Sequence, residues 1–130
     1  MSVELNHTIV RATDQAASAE FLARILGLPV GRPWGPFLPV ELGNRVTLDY
    51  LQVERGEVQP QHYAFLVSEA EFDAAFARIR EAGLTYYADP FRRRPGEINH
   101  HYGGRGVYFD DPDGHSMELI TTPYGEHPEG

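Results

Sequence analysis

The sequence contains no cysteine, and all eleven of its basic residues are arginines, so lysine is absent as well. Without cysteine the chain can form no disulfide bond, thiolate nucleophile or sulfur-ligated zinc site. Without lysine it can form no Schiff base through a lysine side chain. No apolar run reaches the roughly 18 residues of a membrane-spanning helix, and residues 1–4 lack the basic and apolar regions of a signal peptide. We therefore expect a cytoplasmic protein.

Positive charge is also scarce, since the formal net charge is -8. A negative field of this size repels polyanions, so we expect neither a nucleic-acid nor a membrane partner. The single basic run is formed by three arginines at positions 92–94, flanked by Pro90 and Pro95. This run is either a solvated turn or a rim that attracts an anionic substrate.

The pattern of apolar residues predicts one domain over residues 1–130, built from two similar modules of about 1–55 and 58–123 with a short C-terminal tail. In the first module, residues 3–10 form a predicted strand, and Thr13 or Asp14 caps a helix that ends at Gly27. Residues 45–53 form another strand, and the polar segment 54–59 joins the modules.

The second module repeats this order. Residues 61–67 form a predicted strand, and Ser68 with Glu71 forms a capping box for a helix that ends near Gly83. Strands at 106–109 and 116–121 follow, joined by a turn at 110–114. His7 lies 20 residues before Gly27, and His62 lies 21 residues before Gly83. The two histidines therefore occupy nearly equivalent positions on the first strand of each module.

Three polar residues in these strands stand out. A single histidine within a strand is more often a hydrogen-bonded core residue than a ligand. Glu118, between Met117 and Leu119, is costly to bury unless a counter-charge or a metal accompanies it. Taken together, His7, His62 and Glu118 have the composition of a facial triad, which leaves coordination positions open for water, O₂ or substrate.

Residues 109–120, with the sequence FDDPDGHSMELI, resemble the terminal signature of the vicinal oxygen chelate superfamily. Residues 5–10 and 61–65 are similar to two further strands of that family, which includes glyoxalase I, extradiol dioxygenases, fosfomycin-resistance transferases and bleomycin-binding proteins. The resemblance implies an α+β fold of paired βαβββ modules that form a curved mixed sheet around a metal-containing cavity. It also implies one divalent metal held by His7, His62 and Glu118, with Fe²⁺ favoured and Mn²⁺, Ni²⁺ or Zn²⁺ as alternatives.

Residues 98–109 are similar to a narrower branch, the oxygenases of chartreusin biosynthesis. This similarity favours a metal-dependent oxygenase or dioxygenase that acts on an aromatic or polyketide-like product with vicinal oxygens. The alternatives are a glyoxalase-type isomerase, a thiol transferase and a drug-binding resistance protein. Relatives of this kind complete their cavities by pairing, so we expect a homodimer with a small-molecule substrate.

The family offers a fourth metal position on the last strand of the first module, where glyoxalase I has a carboxylate. An alignment of Gly43 with Gly114 puts Thr47 opposite Glu118, and this favours a site with three protein ligands. Asp49 lies two residues further along the same face. It could restore a fourth ligand if the register of the strand differs.

Further polar and aromatic residues are candidates for the chemistry. His100 and His101 are adjacent, so in an extended chain they point to opposite sides, and one could act as an acid or base while the other faces water. Both could equally lie on the surface of a loop. The predicted catalytic residues are His100, His101 and Tyr102, and the predicted substrate-binding residues are Asp49, Arg105, Tyr108 and Trp34.

Overall fold

The computed structural model describes residues 3–125 and divides the chain into two compact units, Met1–Gln59 and Pro60–Gly130. The boundary lies at the end of the polar segment 54–59. The elements follow the order β1 (His7–Ala12), α1 (Gln15–Leu26), β2 (Phe37–Glu41), β3 (Thr47–Gln52), β4 (His62–Leu66), α2 (Glu69–Glu81), β5 (Tyr86–Tyr87), β6 (Gly106–Asp110) and β7 (Ser116–Ile120). Short 3₁₀ turns occupy Arg55–Glu57 and His101–Gly103.

The first unit is a mixed sheet of order β1-β3-β2 with one helix. β1 pairs with β3 in parallel, and β2 pairs with β3 antiparallel. Side chains alternate across these strands, so one face carries the buried residues Val10, Ala12, Val40, Leu48 and Tyr50. The opposite face of β1 and β3 carries His7, Ile9, Arg11, Thr47, Asp49 and Leu51, and none of these is buried.

Helix α1 begins and ends where the sequence predicted. The Asp14 carboxylate accepts a hydrogen bond from the Ala17 amide at 3.1 Å, and Gly27 takes the left-handed conformation at φ 75°. Both caps satisfy backbone groups that the helix itself leaves unpaired. The predicted helix is therefore confirmed at both ends.

The first unit has three strands, whereas the paired βαβββ modules predicted four. Among its described residues, the expected extra strand is represented only by a bridge between Trp34 and Phe37 and by a 2.8 Å bond from the Gly31 amide to the Pro39 carbonyl. Prolines at positions 29, 33 and 36 remove backbone donors, so this segment cannot form a continuous ladder. The α+β class is confirmed, with two mixed sheets in place of one.

The second unit has the full βαβββ order, with a mixed sheet β4-β7-β6-β5. The predicted capping box is present, because the Glu71 amide donates to the Ser68 hydroxyl and the Ser68 amide donates to the Glu71 carboxylate. The core of this unit consists of apolar side chains from the helix and strands, namely Phe65, Phe72, Ala75, Ile79, Val107, Phe109, Met117 and Leu119. Across residues 3–125, neither helix has the length and apolar character required to cross a membrane.

Candidate metal centre

His62 and Glu118 meet on the face of the second sheet opposite its apolar core. β4 and β7 run parallel, with His62 paired to Ser116 and Ala64 paired to Glu118. The alternation of side chains then puts both functional groups on one face. His62 Nε2 lies 2.9 Å from Glu118 Oε1, and the Glu118 side chain is 1% exposed against 48% for His62. A buried carboxylate therefore faces a half-exposed imidazole.

Two tyrosines complete the surroundings of this carboxylate. The Tyr124 hydroxyl donates a hydrogen bond to Glu118 Oε2, and it lies 3.1 Å from the Tyr108 hydroxyl. The Tyr108 ring stacks on the His62 imidazole with centroids 5.9 Å apart. Burial, followed by the bond to Tyr124 and the Glu118 charge, raises the pKa of Tyr108. Burial and the bond to Glu118 also raise the pKa of Tyr124, so both phenols remain protonated donors at neutral pH.

The spacing of His62 and Glu118 fits a metal pair. Nitrogen and oxygen ligands bind such metals at about 2.0–2.2 Å, so two ligands at a right angle stand about 3.0 Å apart. The 2.9 Å between Nε2 and Oε1 is the length of an ordinary hydrogen bond, and it is also close to this value. In the described part of the chain, no three His, Asp or Glu side chains are grouped closely enough to hold a metal. The second unit thus brings two suitable donors together, and a third protein ligand stays a prediction.

His7 lies on the exposed face of β1 in the first unit. Its Nδ1 is 2.7 Å from the Asn6 side-chain oxygen. With the proton on Nδ1, the Nε2 lone pair is available to a metal, as is usual for metal-binding histidines. The chemistry of His7 therefore suits a ligand, and its role as the third ligand stays a prediction.

The turns that precede β3 and β7 have the same hydrogen bonds. In the first unit, Arg45 N donates to Leu42 O at 3.0 Å and Leu42 N donates to Val46 O at 2.8 Å. In the second unit, Gly114 N donates to Asp111 O at 3.0 Å and Asp111 N donates to His115 O at 2.9 Å. The residue that corresponds to Gly114 is therefore Arg45, which shares its positive φ (71° against 88°).

This equivalence corrects the alignment of Gly43 with Gly114. In β1 and β3, His7 pairs with Thr47 and Ile9 pairs with Asp49. In β4 and β7, His62 pairs with Ser116 and Ala64 pairs with Glu118. Thr47 thus corresponds to Ser116, and Asp49 corresponds to Glu118. The alignment of Gly43 with Gly114 was therefore wrong by two residues. The residue of the first turn that corresponds to Gly114 is Arg45, which has the same left-handed backbone.

The predicted catalytic residues lie in the loop that leads to β6. His100 and His101 are exposed and within or next to a 3₁₀ turn. Tyr102 has a left-handed backbone (φ 56°, ψ 27°), and its ring centroid lies 5.2 Å from that of Tyr124. Of the three, the structure brings Tyr102 to the group around Glu118. Catalytic roles for His100 and His101 stay predictions.

Arg105 and Trp34 occupy different settings. Arg105 binds Glu69 at 2.7 Å and Asp73 at 2.9 Å, and its guanidinium lies 4.4 Å from the centre of the Phe72 ring. These contacts join α2 to the start of β6. The guanidinium that was predicted to bind substrate is thus already paired with two carboxylates. Trp34 is 73% exposed and stacks on Phe37 in the first unit. Substrate contacts by both residues stay predictions.

Sequence reasoning missed Tyr124 and gave His115 no role. Tyr124 follows β7 in a segment that carries no strand or helix pattern, so only the folded chain reveals its bond to Glu118. His115 is buried, and its Nδ1 accepts a hydrogen bond from the Gln61 amide at 3.0 Å. This bond fixes the residue next to His62, so His115 supports the site from the other side of the sheet.

Comparison with known proteins identifies the family of the chain. Residues 4–119 match the Glyoxalase/Bleomycin resistance protein/Dioxygenase superfamily. Two solved structures, "Oxidase ChaP-H2" and "Oxidase ChaP-H1", are 66% and 62% identical to the chain. Their TM-scores are 0.93 and 0.92, over 96% and 95% of this chain and 98% and 99% of theirs. Glutathione transferase FosA of Serratia marcescens is 33% identical over 92% of this chain and 81% of its own length.

The predicted resemblance is therefore confirmed, including the narrower oxygenase branch that residues 98–109 indicated. The chain belongs to the Glyoxalase/Bleomycin resistance protein/Dioxygenase superfamily, and it is an enzyme of the vicinal oxygen chelate type.

Proposed function

We propose that this protein is a metal-dependent oxygenase acting on an aromatic or polyketide-like molecule with vicinal oxygens. The observation that carries the proposal is the His62–Glu118 pair, whose 2.9 Å separation fits two adjacent ligands of one metal. The identity of 66% to a structure named as an oxidase supports redox chemistry at this centre. Fe²⁺ is the metal that suits a site of two imidazoles and one carboxylate with open positions.

The chain's own residues bind, orient and protect the substrate. His7, His62 and Glu118 would hold the metal, which when bound supplies the Lewis-acid and one-electron chemistry that makes electron-rich vicinal oxygens reactive toward O₂. Tyr108 stacks on His62 and covers one side of the imidazole. Asp49, on the same face as His7, would accept a proton from a hydroxyl group of the substrate.

A thiol transferase is the second candidate, because glutathione transferase FosA shares 33% identity over most of both chains. Such an enzyme would use its metal to polarise an electrophile, with no consumption of O₂. The chain contains no cysteine, so the thiol would have to come from a second substrate. The two candidates therefore differ in a measurable way, namely the use of O₂ or of a soluble thiol.

The decisive experiment starts from protein purified without oxygen and loaded separately with Fe²⁺, Mn²⁺, Ni²⁺ and Zn²⁺. O₂ uptake is then recorded with catechol-like and polyketide-like substrates, and thiol consumption is recorded with an electrophilic substrate. We expect uptake with Fe²⁺ and none in Glu118→Ala, the matched variant without the carboxylate ligand. Absence of uptake with every substrate, together with thiol transfer or hemithioacetal turnover under another metal, would reject the oxygenase.

A further inference from the structure

Glu118 is a buried carboxylate whose two oxygens have different partners. Oε1 faces His62 Nε2 at 2.9 Å, whereas Oε2 accepts the hydrogen bond from Tyr124. The residue is only 1% exposed, so these two side chains are its main polar partners. The carboxylate is therefore fixed in one orientation, with a single oxygen directed to the imidazole.

Two further contacts hold Tyr124 against this carboxylate. Its hydroxyl lies 3.1 Å from that of Tyr108, and its ring lies 5.2 Å from that of Tyr102. Tyr102 adopts a left-handed backbone, which is costly for a residue with a side chain and persists only where the surroundings impose it. The segment that carries Tyr124 is also fixed at its start. The Arg105 amide donates to the Thr121 hydroxyl at 2.8 Å, and the Thr121 amide donates to the Arg105 carbonyl at 3.0 Å.

We propose that Tyr124 is a positioning residue that binds Oε2 of Glu118 and so leaves Oε1 as the only oxygen offered to the metal. The inference rests on the proposed metal site and adds to it how the carboxylate is oriented. A carboxylate without this restraint rotates about its terminal bond and can bind through both oxygens. A second bound oxygen would fill a coordination position that a bidentate substrate or O₂ requires.

The test compares Tyr124→Phe with Tyr102→Phe, and Co²⁺ added to metal-free protein is the probe. Both variants lose one hydroxyl and keep the ring contact between the two tyrosines, but only the first removes the donor to Oε2. We expect the visible Co²⁺ absorption of Tyr124→Phe to fall in intensity, because a second bound carboxylate oxygen raises the coordination number. Its Co²⁺ affinity should also depart from the parental value, because the carboxylate is no longer held in one orientation. Tyr102→Phe should match the parent in both measurements.

Replacement of Tyr124 by p-aminophenylalanine keeps a hydrogen-bond donor at this position and should restore the parental affinity and spectrum. A purely structural role would lower the melting temperature of metal-free Tyr124→Phe and leave the Co²⁺ spectrum as in the parent, which would overturn the proposal. Parental affinity in Tyr124→Phe would overturn it as well. Failure of the metal site itself has a different signature, since the parent and Glu118→Ala would then bind Co²⁺ equally weakly.

Discussion

At the scale of single residues, the role of Asp49 depends on the length of its side chain. Asp49 holds the place in the first unit that Glu118 holds in the second. An aspartate side chain is shorter than a glutamate side chain by one carbon–carbon bond, about 1.5 Å. From an equivalent position on its strand, its carboxylate therefore reaches less far than the carboxylate of Glu118. This difference favours a substrate-binding role for Asp49 and three protein ligands for the metal.

Two substitutions at Asp49 test this argument. We expect Asp49→Ala to lower kcat/KM for the vicinal-oxygen substrate and to leave the affinity for Fe²⁺ nearly unchanged. Asp49→Glu should raise that affinity and lower O₂ uptake, because the longer side chain can occupy a coordination position. Metal titration and oxygen electrode measurements check both. A loss of about 10-fold or more in metal affinity for Asp49→Ala would make Asp49 a ligand and would favour the isomerase chemistry.

Asp111 gives a second prediction at this scale, on stability. Its Oδ1 accepts the amides of Asp113 and His115 at 2.9 Å, whereas its Oδ2 is buried without a hydrogen-bond partner among residues 3–125. Burial raises the pKa of Asp111 above the ordinary aspartate value. The unfolded chain therefore loses this proton at a lower pH than the folded chain does. Above the ordinary pKa, the contribution of Asp111 to stability falls as the pH rises.

Asp111→Asn removes this titration and keeps an oxygen for the two amides. We expect the free energy of unfolding of the variant, relative to the parent, to increase as the pH rises from about 3 to 7. Urea unfolding at several pH values measures the difference in the free energy of unfolding. The contributions of all other carboxylates cancel in this difference, because both proteins share them. A difference that is constant with pH would show that burial does not raise the pKa of Asp111.

At the scale of elements, a glycine with a positive φ lies at the end of α1 and directly after the C-cap of α2. Gly83 has φ 71°, its amide donates to Arg80 O at 3.0 Å, and Leu84 N donates to Ile79 O at 3.2 Å. A Cβ at Gly83 would meet no atom within 4 Å, so any cost of Gly83→Ala comes from the backbone conformation alone. We expect a loss of about 1–2 kcal/mol in the free energy of unfolding.

Gly43→Ala is the matched control, since Gly43 also has open space around it but no positive φ. Its free energy of unfolding should stay within about 0.5 kcal/mol of the parental value. Chemical denaturation of both variants decides the question. Equal costs at the two positions would contradict a conformational origin of the effect.

The sequence predicted these elements well where a local signal exists. Caps at Asp14, Ser68 and Gly27 act through neighbouring backbone groups, so their residue types suffice to place the helix ends. Tyr124 could not be predicted, because its contact with Glu118 depends on how the segment after β7 folds back. The equivalence of Asp49 and Glu118 could not be predicted either, because it depends on the left-handed backbone of Arg45. Arginine is not a residue type that indicates this conformation.

At the scale of the whole molecule, we propose a twofold homodimer with two equivalent metal sites, each formed from His7 of one copy and His62 with Glu118 of the other. In that arrangement, a mixed dimer of His7→Ala and Glu118→Ala chains has one intact site, whereas sites within single chains would leave none. We expect the mixture, after exchange of subunits, to bind metal and to regain up to a quarter of the parental activity, roughly, by random pairing. Each variant alone should remain inactive.

Sedimentation at micromolar concentration provides the independent check. A monomer would refute the dimer, and a dimer whose mixed form stays inactive would restrict each site to one chain. The formal net charge of -8 makes self-association sensitive to salt, so the measurement should be repeated at two ionic strengths.

The shared turn of residues 42–46 and 111–115 also bears on how this protein can change during evolution. Side chains on a strand return to the same face every second residue, so one inserted or deleted residue in either turn would move Asp49 or Glu118 to the opposite face. Length variation should therefore be tolerated in the irregular segments 29–36 and 88–100 and be excluded from the two turns. A library of single-residue insertions, sorted for turnover of the vicinal-oxygen substrate, should reject insertions in both turns and accept them in the two irregular segments.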